Sequence, residues 1–150
     1  MAKVSALSDH TGYWLRLVSN AVSHAFARKV AGEQVTVAEW AFMRALHGGE
    51  GVAPSVLAGD MGMTRGAISK LADRLEAKGL VARTDNARDR RAHSLALTDA
   101  GRALVPRLAA LADRNDAEFF GVLSREERHA LERALAALVE RRGLKGVPVD

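Results

Sequence analysis

A chain of 150 residues, 48% apolar and 27% charged, is sized for one globular domain that buries roughly 70% of its unfolded surface without a metal or disulfide staple. It contains no cysteine, which excludes a disulfide framework, thiol redox sensing and Cys-ligated zinc or iron–sulfur sites. No run of about 18 uncharged apolar residues occurs, and the opening MAKVSALSDH lacks the apolar stretch of a secretory signal, so a soluble cytoplasmic protein with no membrane partner is expected.

The chain reads as mainly α with one two-stranded exception. From Gly12 to Val30, the residues Leu15, Val18, Val22 and Phe26 recur at helical spacing, and Gly32 is placed to stop the helix. Thr36 caps a second helix through WAFMRALH, with Glu39 at the third position completing a capping box, and Gly48 and Gly49 end it. Pro54 suits the first turn of a short helix, PSVLAGDM, that stops at Gly62. Thr64 caps a fourth, RGAISKLADRLEAK, closed by Gly79; Ile68, Leu71 and Leu75 form its apolar stripe.

Two strand-like runs follow, LVART and AHSLALT, giving a hairpin with a long charged tip between them. Thr98 caps a long helix to about Phe120, in which Pro106 lies past the first turn and predicts a kink. Ser124 and Glu127 make a second capping box ahead of a helix through Leu131, Leu135 and Leu138, ending at Gly143. The tail LKGVPVD either frays or docks on a partner subunit.

Charge is unevenly placed along this order. Thr64 to His93 holds eight basic residues and four acidic ones, and that difference equals the net +4 of the whole chain. A surplus gathered on one short segment is the footprint of a polyanion-binding patch, although a charge run can equally be a solvated face. Four of these residues, Arg83, Arg88, Arg90 and Arg91, crowd the hairpin, and like charges repel unless an anion lies opposite.

A short helix, a Gly-Met-Thr turn, an amphipathic helix and a charged hairpin make a winged helix-turn-helix. An α-helix fits the DNA major groove, and its N-terminal turn aims free N–H groups and the positive dipole end at phosphates. Thr64, Arg65, Gly66, Ser69, Lys70 and Arg74 on the fourth helix are therefore candidate DNA contacts, with Arg83, Arg88, Arg90 and Arg91 on the hairpin. Gly66 would let the backbone approach the duplex closely.

Residues 53–101 resemble the DNA-binding core of the MarR family of bacterial transcription regulators. The stretches that carry the resemblance are LAGDMGMTRGAISKLADRLEAKGLVART and DRRAHSLALTDAG. The second is similar to the family's wing signature: Asp89-Arg90-Arg91, a strand, then Leu97-Thr98-Asp99-Ala100-Gly101. The order of the outer helices also fits, so the resemblance covers nearly the whole chain. It implies that Arg65 to Lys78 is the recognition helix, that Arg91 enters the minor groove, and that Asp89 braces the wing by pairing with nearby arginines. It further implies a winged core at about 36–98, flanked by dimerisation helices at about 8–32 and 99–143 that join two copies into a homodimer. The family's oxidant-sensing cysteine is absent here, which excludes that branch.

The resemblance also implies an effector cavity between the dimer helices and the winged core. Tyr13, Trp14 and Trp40 fall near it, with Arg16 and His47 as polar contacts for a small aromatic or phenolic ligand; packing in the core is the competing role for these aromatics. The histidines His10, His24, His47, His93 and His129 do not cluster with acids at metal-ligand spacing, and no G-x-S-x-G, Walker or H-E-x-x-H pattern appears. No catalytic residue, metal or cofactor is expected. The resulting expectation is a non-enzymatic, sequence-specific regulator, a repressor acting on a pseudo-palindromic double-stranded DNA operator. The rivals are a non-specific architectural DNA binder and a dimerisation or accessory module of an enzyme.

Overall fold

The computed structural model describes residues 1–86 and 89–149, the side chains of 85–92 excepted. A single 3-10 turn at Leu7–Asp9 leads into α1 (Thr11–Ala31). Next come α2 (Val37–Leu46), α3 (Pro54–Met61) and α4 (Arg65–Ala77). The hairpin β1 (Val81–Asn86) and β2 (Asp89–Leu97) precedes α5 (Asp99–Phe120) and α6 (Arg125–Arg142). The mainly α winged helix-turn-helix fold expected from the sequence is the fold observed.

Local chemistry sets most boundaries. The Thr36 hydroxyl accepts from the Glu39 N–H at 3.1 Å while the Glu39 carboxylate accepts from the Thr36 N–H at 3.0 Å. Ser124 and Glu127 repeat the box, at 3.1 and 2.9 Å. Thr64 and Thr98 cap α4 and α5 through Ala67 and Gly101, each at 3.1 Å. Gly62, Gly79 and Gly143 close helices with positive φ, conformations that cost glycine little. α1 ends at Ala31 with Gly32 as its C-cap, as the sequence predicts, but Gly32 stays right-handed and Gln34 takes the positive φ of 64°.

The hairpin differs from expectation in extent. Its strands run on to Asn86 and from Asp89, so pairing reaches well into what reads as a loose charged tip. Val81 faces Leu97 and Asp85 faces His93, with a register irregularity between Asp85 and Asn86. Before α3, Val52 pairs with Leu95 through two backbone bonds of 2.9 and 2.8 Å. This bridge adds a third short edge to the wing sheet, and a lone Val52 gives no periodicity to reveal it.

One core gathers these elements: Phe42, Met43 and Leu46 of α2, Leu57 and Met61 of α3, Ile68, Leu71 and Leu75 of α4, Val81, Leu95 and Leu97 of the wing, and Leu104, Val105 and Leu108 of α5. The expected stripe of α4 is buried, and Ala72 joins it. α5 is continuous through Pro106, whose missing N–H leaves the Arg102 carbonyl without its helical donor. Between α1 and α5 polar contacts add to the apolar packing: buried Asn115 donates to the Val22 carbonyl at 3.2 Å and accepts from Lys29 at 3.0 Å. Lys29 also pairs with Glu118 at 3.1 Å.

Where wing, α4 and α5 converge, Thr98 binds all three. Its N–H donates to the Leu80 carbonyl at 3.1 Å and its hydroxyl to the Gly79 carbonyl at 2.7 Å. Gly101 then passes so close to the Leu80 carbonyl that a Cβ would collide with it. That contact accounts physically for a glycine three residues after this threonine. Gly101→Ala is expected to destabilise the fold by about 1–3 kcal/mol, as overpacking against backbone does; thermal melting against wild type checks it.

Candidate nucleic-acid interface

α4 presents the candidate surface. With Ile68, Leu71, Ala72 and Leu75 buried, the opposite side exposes Arg65, Gly66, Ser69 and Lys70 to solvent. Thr64 occupies the Ala67 N–H, while the N–H groups of Arg65 and Gly66 precede the first intrahelical bond and face outward at the positive end of the helix. Of the residues expected to touch DNA, these four lie together with Thr64, exposed at the tip.

Arg74 and Arg83 are placed differently. Arg74 sits on the flank of α4, where it lines a cavity described below. Arg83 in β1 reaches back to α4, 2.7 Å from Asp73 and 3.5 Å from Glu76. It is a strut joining wing to α4, and it cancels the two acids that would otherwise oppose a polyanion on that face. Arg88 lies outside the described residues, and so do the side chains of Asp89, Arg90 and Arg91. Sequence reading gives no hint of the Arg83 strut, because its partners lie on another element.

The far end of α4 is held by a buried charge that the sequence shows only as a cap. Glu39 is 1% exposed. Its carboxylate accepts from the Lys78 ammonium at 2.8 Å, and Lys78 also donates to the Gln34 carbonyl at 2.7 Å. Burial by itself raises the Glu39 pKa; the Lys78 hydrogen bond, the Thr36 N–H and hydroxyl, and the Lys78 charge together bring it below the usual 4.5. A carboxyl depressed in the folded state stabilises fully above its unfolded value and loses that contribution as pH falls through the folded value.

A cavity of about 920 Å³ opens beside this clamp, between α1, α2, the Arg74 flank of α4 and the segment Val147–Val149. Its walls are largely apolar, with Phe26, Trp40 and Ala41, and carry His24, Arg44 and Arg74. Of the five residues expected at an effector pocket, it takes Trp40 and not the other four. Tyr13 and Trp14 stack edge to face at 5.4 Å on the outer face of α1, and the Trp14 indole donates to the Ser8 carbonyl at 2.9 Å. Arg16 and His47 are exposed, His47 at the end of α2. Arg44 and Arg74 were separated by sequence distance and become cavity neighbours only through the fold.

Among the described residues, no group of three or more His, Asp or Glu could hold a metal ion. No helix there is long and apolar enough to cross a membrane.

Comparison with known proteins gives concordant matches. The family model described as MarR family matches residues 33–92. A transcriptional regulatory protein for the hcr operon of Thauera aromatica is 31% identical over 127 residues, covering 84% of this chain and 76% of that protein. The transcriptional repressor CouR bound to a 23-mer DNA duplex superposes with a TM-score of 0.80 at 34% identity, over 93% of this chain and 99% of that one. CouR from Rhodococcus jostii RHA1 bound to p-coumaroyl-CoA superposes with a TM-score of 0.73 at 26% identity, over 90% and 95%.

Two outcomes are expected for the clamp. Lys78→Met should cost about 1–3 kcal/mol, because it strands a buried carboxylate. Glu39→Gln should flatten the decline of stability below pH 4.5. Urea unfolding across pH measures both.

Proposed function

The chain belongs to the MarR family of transcription regulators, a family of DNA-binding proteins rather than enzymes, and on that premise we propose that it is a homodimeric repressor released from a pseudo-palindromic operator by a small aromatic ligand. The observation that carries the DNA reading is the outward face of α4, with Arg65, Ser69 and Lys70 exposed. The buried stripe fixes that face and the adjoining hairpin completes the basic surplus. Arg91, in the wing signature, is the minor-groove contact in this reading; Asp89 braces it.

Dimerisation follows from what one copy leaves uncovered. α6 has no buried residue, and Leu135, Leu138 and Val139 on it are exposed, as are Trp14, Leu15, Leu17 and Val18 on α1. Two helices with unfilled apolar faces suit an isologous interface between two copies. The winged core at about 36–98 is then carried by dimerisation helices at about 8–32 and 99–143.

For the ligand, the support is the cavity in which Phe26 and Trp40 offer ring contacts and Arg44 and Arg74 offer charge to a carboxylate. A neighbour of similar fold holds p-coumaroyl-CoA, so this compound and its free acid are the first probes. Repression fits a ligand that binds beside α4 and disturbs its seat; by linkage, operator must then weaken ligand binding by the same factor.

The testing experiment titrates a duplex taken from upstream of the protein's own gene, by fluorescence anisotropy, against a scrambled duplex. Wild type should prefer the upstream duplex, and Arg91→Ala should weaken it by about 1–3 kcal/mol while lowering the salt slope by about one. Equal affinity for both duplexes would instead indicate a non-specific binder. By light scattering the wild type should be a dimer and Leu138→Glu a monomer; a wild type that is already monomeric at micromolar concentration contradicts the interface.

A further inference from the structure

The segment after α6 returns to the helix-turn-helix of its own chain. Gly146, at φ 98°, lets the backbone turn in, and the Val147 N–H donates to the Met61 carbonyl at 3.3 Å. A Cβ on Gly62 would meet the Gly146 Cα at 3.2 Å, so two left-handed glycines meet backbone to backbone, an approach that larger residues would obstruct. Val149 packs half-buried against the main core.

This seat faces two hollows at once. Val147, Pro148 and Val149 line the 920 Å³ cavity together with Trp40 and Arg74. The same three residues border a hollow of about 480 Å³ along Met61, Gly62, Met63, Thr64 and Ala67, the turn that sets the recognition helix. Among the residues lining the two hollows, Val147, Pro148 and Val149 are shared by both.

We propose that Gly146–Val149 is a strap that couples the cavity to the recognition helix. Seated, it walls one side of the cavity and holds the Met61–Met63 turn. A ligand filling the cavity takes the space against which Val147–Val149 pack, lifts the strap and frees the turn, so α4 is presented less firmly to DNA. The strap is held by one backbone bond and three small apolar side chains, few enough contacts for ligand binding to release it. The link to operator affinity rests on the regulator reading; the seating does not.

The chain has no cysteine, so Val149→Cys supplies a single reporter thiol for maleimide labelling of the full-length protein. In that background Gly146→Val strains the positive φ and should unseat the strap, while Ala41→Phe fills the cavity from α2 in place of ligand. Both should speed labelling and weaken binding to the upstream duplex, each by about five-fold or more, the lower range of an allosteric coupling. Melting temperature checks that each variant is folded, and either one alone can decide the matter. If Val149→Cys already labels as fast as its Gly146→Val derivative, the seat does not exist and the proposal is overturned. If labelling accelerates but DNA affinity stays at the wild-type value, the coupling is overturned. A wild type that shows no preference for the upstream duplex overturns the regulator reading, and the labelling response to Ala41→Phe still decides whether cavity and strap are linked.

Discussion

The buried carboxylate of Glu39 is the constraint around which the DNA-facing half of the molecule is arranged. A carboxylate that is 1% exposed must be hydrogen-bonded and charge-compensated, or the fold loses several kcal/mol. Its partners come from two directions: Thr36 at the start of α2, and Lys78 just past the end of α4. Meeting its needs therefore fixes where α4 ends relative to α2. Because Ile68, Leu71 and Leu75 fix the helix's rotation, the outward face of α4 has little freedom left.

Charge is used in three distinct ways across the segment that carries the surplus. Lys78 and Arg83 are committed to partners within the chain, one to buried Glu39 and one to Asp73 and Glu76 at the surface. Arg65 and Lys70 stay exposed on the face of α4. These pairs tie elements together and neutralise nearby acids, which leaves the exposed cations available to a partner. Arg74 serves a third role, standing at the cavity on the same helix that would contact DNA. A ligand that engages it would act on α4 directly.

What was legible in the sequence was what is encoded locally. Two capping boxes, two threonine caps, the apolar stripe of α4 and the left-handed glycines all depend on residues within a few positions of one another, and they mark the helices well. The interactions that sequence reading missed join distant segments. Val52 pairs with Leu95, Arg83 with Asp73, and Asn115 with Lys29 and Val22, and no periodicity announces any of them. The residues expected at a pocket are gathered only in part, for a related reason. Tyr13 and Trp14 are adjacent on α1 and look like a ligand box, but the rotation of α1 turns them outward, whereas Arg44 and Arg74, thirty positions apart in the chain, come to one cavity with Trp40. The tail, read as frayed or bound to a partner, instead docks on the turn of its own helix-turn-helix.

The central claim is that a fixed α4 face and its wing read DNA as a matched pair of modules. Hydroxyl-radical footprinting of the protein on its upstream duplex tests this most directly. The account predicts two symmetric protected patches with centres roughly 10 base pairs apart, or a multiple of that spacing, each flanked by minor-groove protection from the wing. A single unpaired patch, or uniform protection that moves with the ends of the fragment, would contradict it.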